Sequence, residues 1–219
     1  IMGLGRFGGG IGAARFAAEH GAKVTVTDLN DAETLRDAIE QLADLDISYT
    51  LGRHEEHDFR QADMLIVNPA VNPQDNRYMQ IAREHGTTIT TEIQLLIENL
   101  PDPTTRVGIT GSAGKSTTTA MVGHILEKYQ PGRVHVGGNI GGSLLTTLDA
   151  IAPDHIVVLE LSSFMLEYLD AIRFRPDVAV VTTFTANHLD RHGTFEAYRH
   201  AKQTLLRHQQ PGDRAILGP

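Results

Sequence analysis

With 219 residues and 41% apolar content, the chain is long enough to bury one large core or two modest ones. A formal charge of -8, with no Lys/Arg-rich run, excludes a nucleic-acid surface built on phosphate neutralisation, and the absence of cysteine excludes disulfides, thiolate metal sites and thiol nucleophiles. No apolar run approaches the roughly 18 residues of a membrane span, and no leader-like segment opens the chain, so a cytoplasmic protein without nucleic-acid or membrane partners is expected.

The chain opens in an apolar strand-like segment, Ile1-Met2-Gly3, and stops within another, residues 214–217. Both ends read as cut, and a piece of a longer protein is expected. Between them, short β-branched runs at 24–27, 64–67, 106–110, 155–159 and 177–181 alternate with helix-length segments at 8–20, 31–43, 75–85, 115–129 and 194–209. That alternation predicts an α/β protein of βαβ units on mostly parallel sheets. The stretch LPDPTT at 100–105 holds two prolines and reads as a linker, which divides the chain into domains 1–100 and 101–219.

Gly3, Gly5 and Gly8 form a G-x-G-x-x-G turn between a strand and a helix, and Asp28 ends the next strand. This is the spacing of a Rossmann fingerprint, in which backbone approaches a diphosphate at a helix N-terminus and the acid meets a ribose or base. It does not choose between NAD and another nucleotide. A second glycine turn, GITGSAGKS at 108–116, departs from the strict P-loop pattern because Ile109 stands where the first glycine belongs. Its mechanics survive: a strand ends at Thr110, backbone N–H groups turn inward, Lys115 can reach the β- and γ-phosphates, and Ser116 can bind Mg²⁺. The domain that carries it is therefore expected to be P-loop NTPase-like.

Glu160 follows four apolar residues in IVVLE, a costly place for an unpaired carboxylate and a suitable one for a magnesium ligand. Beyond the 178–181 strand, the segment TTFTANHLDRHG at 182–193 carries His188 and His192; His188 is the stronger site candidate, and His192, beside a turn glycine, reads as solvated.

Three segments, GITGSAGKSTTTAMVGHIL, GGNIGGSLL and NHLDRHGTFEAYRHAK, resemble the Mur ligase superfamily, the ATP-dependent amino-acid-adding enzymes of peptidoglycan assembly. With the first domain the resemblance covers essentially the whole chain. Within the superfamily LELSSFMLE at 159–167 is similar to the D-glutamate-adding branch, with Met165 in place of its usual Gln. The resemblance implies a Rossmann-like first domain that holds the UDP end of a nucleotide sugar, and a central domain that holds ATP and Mg²⁺. It implies ligation of D-glutamate to UDP-N-acetylmuramoyl-L-alanine through an acyl phosphate, by a monomer with a further domain beyond Pro219. Without that domain, little or no turnover is expected.

Carried over by position, Ser112, Ala113, Gly114, Lys115, Ser116 and Thr117 form the ATP loop, with Ala113 where the family has Asn. Lys115, Glu160, His188 and Lys202 take the catalytic roles; Ser116, Glu160, His188 and Lys202, the last as a carbamate, take the metal. Arg6, Phe7, Asp28, Leu29, Asn68, Pro69, Ala70, Asn139, Ser162 and His188 face the substrate, although Arg6 and Phe7 replace smaller residues and Ala70 a glycine. The rival readings are another Mur-type ligase, adding L-alanine or resembling the folylpolyglutamate enzymes, a NAD-dependent oxidoreductase, and a non-catalytic binding fragment. The oxidoreductase reading leaves the second glycine loop, Glu160 and Lys202 without a role.

Overall fold

The computed structural model describes residues 1–5, 8–73 and 76–218. Contacts divide the chain into two compact units, Ile1–Leu95 and Leu96–Pro219. The candidate residues Arg6 and Phe7 lie outside the described residues.

In the first unit, α1 (Gly9–Glu19) precedes β1 (Val24–Asp28), α2 (Arg36–Glu40), β2 (Ile47–Leu51), α3 (Glu56–Arg60), β3 (Met64–Ile66), α4 (Arg77–Glu84) and β4 (Thr88–Thr90). β1 pairs with β2 and β3 with β4, both in parallel. Met2 joins the pairs: it bridges to Thr27 on one side and Val67 on the other, again in parallel. The order is therefore β2, β1, residues 1–3, β3, β4. That is the doubly wound order of a dinucleotide-binding fold, whose ligand crevice opens where the order reverses, between the first strand and β3. Leu4, Ala14, Val24, Val26, Leu35 and Leu42 form one buried cluster of this unit.

The helix expected over 31–43 shortens to Arg36–Glu40. Asp31 Oδ1 accepts from the Thr34 amide at 2.9 Å, an N-cap contact, and the Leu35 amide donates to Asp31 O at 3.1 Å, so the stretch before Arg36 is a capped turn rather than regular helix. Buried Leu35 and Leu42 still anchor the segment. α4 begins where Asn76 caps the amides of Tyr78 and Met79.

α5 (Glu92–Asn99) spans the division between the units. The second unit continues with β5 (Thr105–Thr110), α6 (Lys115–Tyr129), β6 (Val134–Gly138), a 3₁₀ stretch (Leu144–Ala150), β7 (Ile156–Glu160) and α7 (Ser163–Leu169). It ends with β8 (Val178–Val181), α8 (Leu189–His192), α9 (Phe195–Arg207) and β9 (Arg214–Leu217). Its five strands form one parallel sheet in the order β6, β7, β5, β8, β9. The chain leaves β5 toward one edge and β8 toward the other. Right-handed crossovers then place α6 on one face and α7 and α9 on the opposite face. β7 is buried at every position, which suits an apolar strand covered on both sides. The order reverses at β5 and β8, so the crevice of this unit opens at their C-terminal ends.

The fold class is the expected one, a parallel α/β chain with a Rossmann-like first unit and a P-loop-like second. No helix among the described residues is long and apolar enough to cross a membrane.

Candidate functional site

In the first unit the glycine turn and Asn68 meet at the crevice. Gly3 and Gly5 both have positive φ, +83° and +71°, and a Cβ on Gly5 would sit 2.5 Å from Asn68 Nδ2. Only glycine fits under that side chain. Asn68 follows β3, its amide donates to Met2 O at 2.9 Å, and its Oδ1 accepts from the Ala70 amide at 3.0 Å. Asp28 is buried; its Oδ2 accepts from the Leu4 amide at 2.8 Å, and its Oδ1 accepts from the Asn30 amide and Nδ2 at 2.9 and 2.8 Å. The carboxylate thus clamps the glycine turn to the end of β1. An acid so engaged is a poor acceptor for the ribose diol of any nucleotide, so its part in this site is to hold the turn. Leu29 next to it is 68% exposed, an apolar side chain left open at the crevice.

In the second unit β5 ends at Thr110, and the backbone swings through Gly111 (φ +151°) and Gly114 (φ +79°) into α6. A side chain at Gly111 would collide with Thr182. The segment after β8 holds this loop from the other side of the crevice. Thr182 Oγ1 donates to Ala113 O at 2.6 Å, the Ser112 amide donates to Thr183 O at 2.8 Å, and Ser112 Oγ exchanges hydrogen bonds with the backbone of Thr185. Lys115 Nζ lies 3.5 Å from Ser112 O, folded back on its own loop. Ser116 and Thr117 are exposed in the first turn of α6.

Two buried charged groups stand beside this loop. Glu160, 1% exposed, ends β7 next to Ile109 of β5; its Oε1 accepts from Asn139 Nδ2 at 2.9 Å, while Oε2 is buried without a hydrogen-bond partner. Lys202, 4% exposed, donates from Nζ to Thr110 Oγ1 at 3.0 Å and lies 5.1 Å from the centre of the Tyr198 ring. Burial, reinforced by the positive charge of Lys115 and opposed by Glu160, pushes the Lys202 amine down to about 7. A buried ammonium is costly, and the environment relieves the cost by favouring the neutral amine.

The residues present suit a hard divalent cation. An orphaned buried carboxylate oxygen is an unmet demand for positive charge, and Glu160 Oε2 is one. Among the described residues no group of three or more His, Asp or Glu side chains could hold a metal by itself. The remaining ligands would have to be hydroxyl, phosphate or carbamate oxygens.

Other candidates are placed differently from the sequence expectation. Asn139 is committed to Glu160 by both its amide and its side chain. Ser162 caps α7, its Oγ accepting from the Met165 amide at 3.2 Å. Met165 itself is 8% exposed and packs into the core. His188 is exposed, adopts the left-handed conformation (φ 51°) and has its ring 5.1 Å from that of Phe164.

His192 is a correction: the expected solvated side chain is 1% exposed, with Nε2 2.9 Å from Ser163 Oγ and Nδ1 3.3 Å from Glu167 Oε1. The turn at Gly193 directs it inward, onto α7. Sequence reasoning also passed over Tyr198. Its fully buried ring covers Lys202, and its hydroxyl lies 2.9 Å from Ser112 Oγ. Thr182 and Thr183 carried a usable signal, since two hydroxyls that end an apolar strand at a crevice resemble Thr110 at the end of β5.

Comparison with known proteins agrees with this geometry. The family description "Mur ligase middle domain" matches residues 109–218, and "Mur ligase MurD-like, N-terminal domain" matches residues 1–91. A UDP-N-acetylmuramoylalanine–D-glutamate ligase of Roseiflexus sp. (strain RS-1) is 47% identical over 217 residues, covering 99% of this chain and 46% of the relative. The ligase of the same name from Geobacter metallireducens is 42% identical with the same coverage. The chain thus spans about half the length of the curated relatives it matches.

Among solved structures, the UDP-N-acetylmuramate:L-alanyl-gamma-D-glutamyl-meso-diaminopimelate ligase from Neisseria meningitides superposes with a TM-score of 0.66 at 19% identity. It covers 99% of this chain and 69% of its own. The UDP-N-acetylmuramate-alanine ligase from Thermotoga maritima gives 0.57 at 23% identity, covering 99% and 47%. At such identities these two likenesses establish the fold.

Proposed function

This chain belongs to the Mur ligase family, and from that premise we propose that it supplies the nucleotide-handling half of an ATP-dependent ligase that joins D-glutamate to UDP-N-acetylmuramoyl-L-alanine. Residues 1–100 hold the UDP end of the acceptor, with Asp28, Leu29, Asn68, Pro69 and Ala70 around the glycine turn. Residues 101–219 hold ATP on Ser112 to Thr117. The observation that carries the reading is the buried Glu160 carboxylate with its unpartnered oxygen, one strand away from a glycine loop that presents Lys115.

A carboxylate resists amine attack because oxide does not leave. In the proposed reaction an oxygen of the L-alanine carboxylate bonds to the γ-phosphorus as the β,γ-bridging P–O bond breaks and ADP departs. The D-glutamate amine then attacks the acyl carbon, the C–O bond to phosphate breaks, and the amine gives up a proton. Lys115 neutralises charge on the moving phosphoryl group, and the loop amides orient it. Mg²⁺, held by Ser116, Glu160 and His188, would supply further charge neutralisation at the phosphate oxygens.

Lys202 joins that set as a carbamate. Its neutral amine bonds to CO₂ and loses a proton, which turns a cation into an oxygen anion. The amine that the fold holds near pKa 7 is the reactive form. Positioning and electrostatics carry the catalysis, with no protein nucleophile.

Calorimetric titration of the chain tests this reading. Saturable binding of UDP-N-acetylmuramoyl-L-alanine and of Mg·ATP is expected, with no heat from NAD. Glu160→Gln should cost at least about tenfold in the Mg²⁺-dependent part of ATP affinity, the scale of one charge-assisted contact. Binding of NAD without the muramoyl nucleotide would overturn the proposal.

A further inference from the structure

The inward-turned His192 lies between two residues of α7. Nε2 is 2.9 Å from Ser163 Oγ and Nδ1 is 3.3 Å from Glu167 Oε1, with Ser163 2% exposed. Nδ1 makes no hydrogen bond, so its approach to Glu167 is a charge contact rather than a hydrogen bond. A carboxylate at that distance still favours the proton on Nδ1, which leaves Nε2 to accept from the Ser163 hydroxyl. The order serine, histidine, glutamate is that of an activated nucleophile. Burial denies it that role, because no acyl group can reach an oxygen enclosed in the first turn of α7. The array is instead a fastening.

What it fastens is α8. This single turn, Leu189–His192, is preceded by His188 in the left-handed conformation. The amides of Arg191 and His192 donate to His188 O at 3.1 and 3.0 Å, and the Gly193 amide donates to Leu189 O at 2.9 Å. A four-residue helix has almost no stability of its own. Its rings embrace Phe164 of α7: His188 at 5.1 Å, His192 at 5.5 Å, and the Arg191 guanidinium 5.2 Å from the ring centre. The far side of His192 meets the edge of Tyr198 at 5.3 Å.

We propose that His192 is a positioning residue whose buried array with Ser163 and Glu167 locks α8 onto α7 and thereby fixes where His188 faces. The geometric part stands on the fold alone; its consequence for nucleotide binding rests on the function proposed above.

Side-chain ¹H–¹⁵N NMR and amide hydrogen exchange on the chain test it, with His192→Phe and His192→Asn as variants. Phe keeps the ring packing on Phe164 and Tyr198 and removes both polar contacts, whereas Asn restores a donor toward Glu167. In the wild type, His192 should carry a slowly exchanging proton on Nδ1. His192→Phe should speed exchange of the 191–193 amides at least tenfold while the β5 and β7 amides stay unchanged, and His192→Asn should recover most of the protection. The Mg²⁺-dependent gain in ATP affinity should fall about tenfold in the Phe variant, with metal-free ATP affinity unaltered.

A proton on Nε2, or wild-type exchange at 191–193 in the Phe variant, would overturn the fastening. Wild-type protein that binds no ATP would overturn the ligase reading, while the exchange data would still decide the fastening.

Discussion

Lys202 shows how a single residue acquires a chemistry that its type does not announce. On an amphipathic helix it reads as a solvated lysine, and only the resemblance to a family marked it as a site residue. In three dimensions its surroundings are not those of a solvated lysine: Tyr198 covers it, Thr110 accepts its hydrogen bond, and Lys115 adds like charge.

The consequence for stability has a definite sign. The folded amine titrates at about 7 and the unfolded one near 10.5, so between those values the unfolded chain binds more protons and stability rises with pH. The penalty is complete below about pH 7 and disappears above about 10.5. A one-proton difference corresponds to about 1.4 kcal/mol per pH unit. Urea unfolding in CO₂-free buffer between pH 7 and 9 should therefore show a rising midpoint in the wild type, and Lys202→Met should lose that part of the slope. Equal slopes in the two proteins would mean that Lys202 is not buried as a strained cation.

At the scale of elements, glycines in and beside β5 separate packing from function. Gly108 lies in β5 beneath α9, where a Cβ would sit 2.6 Å from Leu205 Cδ1. Gly111, three residues on, shapes the second glycine loop against Thr182. Gly108→Ala should overpack the β5–α9 contact and cost about 1–3 kcal/mol in urea, with ATP affinity retained in the folded fraction. Gly111→Ala should displace the loop from Thr182 and lose ATP affinity more than tenfold by calorimetry. Retained ATP affinity in Gly111→Ala would mean that the loop does not need its present backbone path.

These elements differed in how legible they were. The strands at β1, β3, β5, β7 and β8 stand out as β-branched runs, α9 is long enough to show its period, and α6 is marked by the glycine turn that precedes it. β2, β4 and β6 did not. β4 is three residues long and takes its identity from pairing with β3, while β6 ends in two glycines whose use lies in close approach: a Cβ on Gly137 would press on Leu144. The two glycine loops and Glu160 were readable because strand, turn and helix carry their chemistry locally. His192 and Tyr198 were not, because their partners lie 29 and 86 residues away.

For the whole molecule, the two glycine loops make a prediction that neither makes alone. Each loop belongs to a different compact unit, Ile1–Leu95 or Leu96–Pro219, and each sits at the point where the strand order of its own sheet reverses. A ligand that binds only the folded form stabilises what it touches by about 2.7 kcal/mol at a hundredfold excess over its dissociation constant. If the first crevice holds UDP and the second holds ATP, that stabilisation has an address. Hydrogen exchange with saturating UDP-N-acetylmuramoyl-L-alanine should slow amides of β1 and β3 and of the turn before α1. Saturation with Mg·ATP should slow those of β5, β8 and the first turn of α6. NAD should slow neither set. Protection of β1 and β3 by ATP, or of β5 by the muramoyl nucleotide, would reverse the assignment of the two loops. The experiment reads location rather than turnover, so it tests the division of labour between the loops in the 219-residue chain itself.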